Sequence, residues 1–299
     1  MVHAPAYHAP TSLAETLALL QQLGTEAKVL AGGQDIVPLM NQGRLYPGSL
    51  IDLRALDGLA TVQARDGSIV IGALVPHRDI ERSELIRAGC GLLAEAAGQI
   101  GGGIQVRNRG TIGGAVCAGN PAYDLPPCLV AVDAEFRLAS RSGERRATAA
   151  DFFRDAHVTA VRPDELLVEI AVPVSGPDVG FAYQKLKFTD GCYCIAGAAC
   201  LVQLRPDGSY RVVRLALGGV APVPIRLDAV EAMLGSVRLT DDLLADVAAL
   251  AAQAVSDPLD DLMADGEYRR AMAGVMARRA LAAATERARR ARAAGDHPR

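Results

Sequence analysis

The chain has 299 residues, half of them hydrophobic, and a formal net charge of −3, which suits two or three compact units around a sizeable core. A charge this near neutral gives no electrostatic case for nucleic acid or an anionic membrane as partner, and no apolar run reaches the length of a membrane span. The N-terminus has no basic stretch followed by an apolar one, so the protein reads as cytoplasmic. Six cysteines without a C-x-x-C pair indicate neither a disulfide framework nor a metal site.

In chain order, Ser12 and Glu15 stand in capping-box spacing ahead of an amphipathic helix with Leu13, Leu17 and Leu20 on one face and Gly24 at its end. AKVLAGG reads as a short apolar strand running into glycines. In DIVPLMNQG, Asp35 can cap a new helical turn, and Pro38 is tolerated because it falls in the first turn. GSLIDL is another short strand, closing a unit near residue 54.

From there the pattern alternates. TVQARDGSIVIGAL is two period-2 runs joined by Asp66-Gly67, and AEFRLASRSGERRAT is a second hairpin. Between them ELIRAGCGLLAEAAGQI reads as helix and GGGIQVRNRGTIGG as loop. ELLVEIAVPV alternates to Pro173, and SGPDVG reads as a linker at 175–180. The last third carries FAYQKLKF, a long hairpin about Asp207-Gly208, and two helical stretches. Its basic, Ala-rich end after about 285 reads as a solvated helix end or frayed tail. The sum is an α+β chain of three units (1–55, 56–176, 177–290) with a tail at 291–299, not the repeated βαβ of a doubly wound sheet.

Two glycine-rich loops stand out. Each follows a strand, and bare backbone there lets amide N–H groups approach an anion, phosphate being the usual guest. The first presents Ala31, Gly32, Gly33, Gln34 and Asp35; the second adds the Thr111 hydroxyl to the amides of Ile112, Gly113 and Gly114. Neither is a P-loop or a G-x-G-x-x-G fingerprint. Singly, each reads as a plain Gly-Gly turn; as a pair in separate units they suit a pyrophosphate gripped from both sides. Asp124, in PAYDLP, reads equally as an Asx-turn residue and as an acceptor for ribityl or ribose hydroxyls.

AGGQDIVPLM and RNRGTIGG…NPAYDLP resemble the paired FAD-binding signatures of the medium subunit of the molybdenum hydroxylases, the xanthine dehydrogenase and aerobic carbon monoxide dehydrogenase group. KLKF..GCYCIAGAA, LALGGVAPVPIR and EYRRAMAGVMARRAL extend the resemblance over nearly the whole chain. It implies a two-loop cradle of the vanillyl-alcohol oxidase (PCMH) type, with noncovalent FAD between 31–35 and 111–114 and Asp124 at the ribityl or phosphate region. Lys185 and Tyr193 become candidate flavin contacts, against their plainer readings as a surface lysine and a half-buried strand tyrosine.

Two departures accompany it. Asp35 stands where a small hydroxyl residue is common, and CAGNPAYD where many relatives carry AHADPAAD; Asp35 would repel a pyrophosphate unless it pointed away as an N-cap. Cys192 and Cys194 are unusual, but no cysteine-rich insertion accompanies them and no metal is assigned. The resemblance further implies that a large subunit holds the molybdenum cofactor and a small one two [2Fe-2S] clusters. This chain then relays electrons through FAD in a dimer of heterotrimers, with no catalytic residue of its own. The competing readings are a free-standing flavin oxidoreductase of the vanillyl-alcohol oxidase or MurB type, and a non-catalytic nucleotide-binding or assembly subunit.

Overall fold

The computed structural model describes residues 4–176 and 178–295. Its N-terminal part comprises β1 (Ala6–His8), α1 (Leu13–Leu23), β2 (Ala27–Leu30), α2 (Ile36–Asn41) and β3 (Ser49–Asp52). The strands form a parallel sheet in the order β1-β3-β2, so all three carboxyl ends lie along one edge and the loop at 31–35 emerges there. Ser12 caps α1 by accepting the Glu15 N–H at 3.2 Å, and the Glu15 carboxylate accepts from the Thr11 N–H at 3.0 Å, one residue before the usual capping-box partner. Leu17 and Leu20 are buried on the sheet, as their spacing requires.

The central part carries β4 (Val62–Arg65), β5 (Ser68–Gly72), helices α3 (His77–Arg82), α4 (Glu84–Gly89), α5 (Gly91–Gly98), α6 (Gly103–Arg109), α7 (Ile112–Ala118) and α8 (Leu125–Ala131). It continues with β6 (Glu135–Ser140), β7 (Gly143–Thr148), α9 (Ala149–Phe152), β8 (Phe153–Asp155), β9 (Val158–Thr159) and β10 (Leu166–Pro173). Its main sheet is antiparallel in the order β4-β5-β10-β6-β7. Asp66 and Gly67 both hold positive φ (51° and 75°), the geometry of a two-residue primed turn that follows the strand twist.

Two sequence expectations are corrected here. GGGIQVRNRGTIGG is not loop throughout: Gly102 and Gly103 (φ 80° and 75°) turn the chain into α6, and Thr111 caps α7. ELIRAGCGLLAEAAGQI is two helices, because Cys90 (φ −154°, ψ 63°) breaks the helical path between α4 and α5. The break lets Gly91 lie on Phe181, whose ring a side chain at 91 would strike at 2.2 Å.

The C-terminal part is the antiparallel sheet β11 (Val179–Leu186), β12 (Ala196–Leu204), β13 (Tyr210–Gly218) and β14 (Ile225–Arg226), with α10 (Asp228–Met233), α11 (Asp241–Ala254) and α12 (Gly266–Gly295). Strand β11 takes up Val179 and Gly180, the last two residues of the stretch read as a linker. Helix α12 crosses β11 and β12 on a face of buried small residues, Ala273, Ala277, Ala280, Ala284 and Ala288. The approach is so close that a Cβ at Gly180 would fall 2.0 Å from the Ala284 carbonyl oxygen.

The chain after 285 is therefore not a frayed tail over the described residues. Thr285 is buried with its hydroxyl 2.7 Å from Tyr210 Oη, and Arg287 donates to the Phe181 carbonyl at 2.6 Å and pairs with Glu95. Residues 296–299 of the expected tail lie outside the described residues. Among the described residues no helix is long and apolar enough to cross a membrane.

Candidate functional site

The first glycine loop leaves β2 where the Leu53 N–H bonds the Leu30 carbonyl at 2.9 Å. Beyond that point the amides of residues 31–36 donate to no acceptor among the described residues. Gly33 sits at φ 74°, a left-handed turn that a side chain would strain. A run of unspent N–H groups on such a turn is an anion-binding concavity. Gly32 lies on the second loop: a Cβ there would be 1.9 Å from the Arg109 carbonyl oxygen and 2.9 Å from Gly110 Cα. The two glycine-rich segments thus meet at one seam.

The second loop contributes differently from expectation. Its amides are engaged inside the chain: Ile112 donates to the Val75 carbonyl at 3.0 Å, Gly113 to Ala73 at 2.9 Å, and Gly114 to the Thr111 hydroxyl at 3.1 Å. Glycine at 113 is required by packing, since a Cβ would fall 2.6 Å from the Ala73 carbonyl oxygen. His77 backs this segment, its N–H bonded to the Gly110 carbonyl at 2.9 Å. Its ring is buried, with no partner for Nδ1 among the described residues, and burial alone pushes the imidazole down to about 4, which keeps it neutral.

Asp124 and Lys185 are brought together, but with each other rather than at an open surface. Lys185 Nζ is fully buried, 2.8 Å from Asp124 Oδ2 and 3.0 Å from the Gln99 carbonyl. Tyr183 Oη donates to Asp124 Oδ1 at 2.7 Å. Burial raises the Asp124 carboxyl above its ordinary range despite the ammonium beside it, and pushes the Tyr183 phenol well up. The surface-lysine reading of Lys185 is thereby corrected.

Asp35 is also corrected. It stands at the N-cap position of α2 but makes no side-chain cap bond; its carboxylate instead accepts a hydrogen bond from the Tyr123 hydroxyl. The Tyr123 ring stacks on Tyr193, centroids 6.0 Å apart and planes at 26°. Tyr193 is more than half exposed, at 56%. Tyr123 therefore joins Asp35 of the first loop to Tyr193 of the third unit.

Sequence reasoning singled out neither Tyr123, Tyr183, Gln99 nor His77. Tyr183 was recoverable, because it precedes Lys185 by two on a strand and so shares its face. His77 carries no such signal. Among the described residues no group of His, Cys, Asp and Glu is arranged to hold a metal.

Residues 2–175 match the family model described as the FAD binding domain in molybdopterin dehydrogenase, and residues 181–284 match the CO dehydrogenase flavoprotein C-terminal domain. The chain belongs to this family of FAD-binding subunits of molybdopterin dehydrogenases. It is 40% identical over 282 residues to the carbon monoxide dehydrogenase medium chain of Hydrogenophaga pseudoflava, covering 94% of this chain and 97% of that one. Against the caffeine dehydrogenase subunit beta of Pseudomonas sp. (strain CBB1) it is 33% identical, covering 94% and 95%.

A solved structure of the Hydrogenophaga carbon monoxide dehydrogenase superposes with a TM-score of 0.92 at 39% identity, covering 96% of this chain and 99% of that one. As a medium-subunit flavoprotein, the chain has a seam whose donors fit the family's cofactor: unspent amides suit a pyrophosphate, and the carboxyl edge of a parallel sheet is where such ligands lie.

Proposed function

We propose that this chain holds FAD at the seam between 31–36 and 109–114 and, within a molybdenum hydroxylase complex, relays electrons from the [2Fe-2S] clusters of a small subunit to an external acceptor. The observation that carries the site is the run of unspent amides at 31–36 lying against the backbone of Arg109 and Gly110. In this reading Ala31, Gly32, Gly33, Gln34 and Asp35 border the pyrophosphate, with Thr111 closing the other side. Ile112, Gly113 and Gly114 hold that side in place through their bonds to Val75, Ala73 and Thr111.

The Asp124–Lys185 pair fixes the start of α8 against β11 beside the cofactor, and Tyr193 offers an exposed ring to the isoalloxazine. FAD supplies two-electron redox chemistry that no side chain of this protein has. The chain's own part is to bind and orient it. Residues 1–55 and 56–176 form the cradle, 177–290 the third unit, and the complex is a cytoplasmic dimer of heterotrimers whose large subunit selects the organic substrate.

The test is an absorption spectrum of the protein purified through a tag on this chain and expressed with its partner genes, beside a gel of what accompanies it. Flavin bands with iron–sulfur absorption and two further chains, one large and one small, are expected. A colourless protein would sink the cofactor assignment, and flavin on a lone chain the electron relay.

A further inference from the structure

The unspent amides at 31–36 include that of Asp35 itself, an acid placed inside an anion seat. A free carboxylate at an N-cap position ordinarily turns back to accept from the amides of its own helix. Here that would fill the seat with the protein's own charge, or set the charge against a diphosphate. The side chain does neither: it makes no cap bond and is held by the Tyr123 hydroxyl.

Tyr123 is well placed to hold it. The Ala122 N–H bonds Asn120 Oδ1 at 3.0 Å and the Tyr123 N–H bonds the Asn120 carbonyl at 3.1 Å, fixing the loop, while the Cys194 N–H reaches the Ala122 carbonyl at 3.3 Å from the third unit. The ring is steadied by its stack on Tyr193. Burial, and then the Asp35 charge, raise the Tyr123 phenol far above neutrality, so the hydroxyl stays a donor.

We propose that Tyr123 is a positioning residue that latches the Asp35 carboxylate out of the anion seat and so keeps the seat open to the phosphates of a dinucleotide. The two residues act as a pair: a tyrosine is needed at 123 because an acid stands at 35. The proposal rests on the FAD reading of the seam, and the experiment separates the two.

The complex, purified through this chain and stripped of flavin, is titrated with FAD, with flavin fluorescence quenching reporting Kd and thermal melting of the flavin-free form reporting the fold. Tyr123→Phe is expected to weaken FAD binding by about tenfold or more, the worth of one hydrogen bond to a charged group, with an unchanged melt. In an Asp35→Ser background the same Tyr123→Phe change is expected to alter Kd by less than about twofold, because no carboxylate is left to hold. An unaffected Kd in Tyr123→Phe overturns the latch. So does an equal loss in the Asp35→Ser background, which would assign the Tyr123 hydroxyl to a partner other than Asp35. A wild-type complex that rebinds no FAD overturns the seam reading, and the latch with it.

Discussion

Asp52 shows how one carboxylate at the carboxyl edge of the parallel sheet is settled by its neighbours. It is buried, accepts from Arg54 Nε at 2.9 Å and from the Arg54 N–H at 3.0 Å, and receives the Tyr7 hydroxyl. The Arg54 side-chain hydrogen bonds lead in drawing the carboxyl down from 3.8 to about 2. Its folded pKa is depressed, so the unfolded chain takes up the proton first as pH falls, and the stabilisation present above about 4 is lost on the way down to about 2. Asp52→Asn is therefore expected to cost about 1–2 kcal/mol at pH 7. Urea melts of both proteins should converge near pH 2; a gap that persists there would refute the ionic origin. The same contrast governs the site residues: the types at 31–35 and 124 were readable from the sequence, but pairings such as Tyr123 with Asp35 cross 88 residues of chain and have no local signature.

Helix α12 is tied to the sheet by Arg269, whose buried guanidinium donates to the Ile195 carbonyl at 2.7 Å, to the Gly219 carbonyl at 2.6 Å and to Asp261 at 2.6 Å. Ile195 lies two residues from Tyr193, so the tie also steadies the segment facing the seam. Arg269→Met leaves two buried carbonyls unpaired and is expected to cost about 3 kcal/mol; a melting temperature within a degree of wild type would contradict this. Other elements were foreseeable to the extent that their signals are local. Asp66-Gly67 specifies its turn by itself, and Leu13, Leu17 and Leu20 specify a helical face. Helices α6 and α7 were hidden because glycine argues against helix on propensity alone, yet at 113 it is demanded by a contact with Ala73 that only the folded chain creates. The helical end of α12 was readable, with its arginines largely solvated; what was not readable is that Arg287 reaches Glu95 and the Phe181 carbonyl.

The three larger sheets do not have separate interiors. Tyr183, Ala199 and Ala216 of the C-terminal sheet sit in the same core as Cys90, Leu92, Cys128 and Phe136, and Ala139, Leu166 and Val168 of the central sheet share a core with Leu17 and Ile51. Residues 1–176 expressed alone are accordingly expected to bind a hydrophobic dye strongly, through the uncovered faces of α5 and α8. Dye binding as low as that of the full chain would show that the first two units close without the third. Overall architecture was readable from alternation and turns, whereas this sharing was not, since it depends on which faces meet.

The stripe of small residues on α12 also imposes an order in time. Strands β11 to β13 leave the ribosome with the face around Ala198, Cys200 and Leu215 bare, and its cover ends at Ala288. At about 5–20 residues per second, roughly 4–14 s of synthesis separate Gly218 from Ala288. The sheet beside Tyr193 can therefore be covered only once Ala288 has been made, well after its own strands.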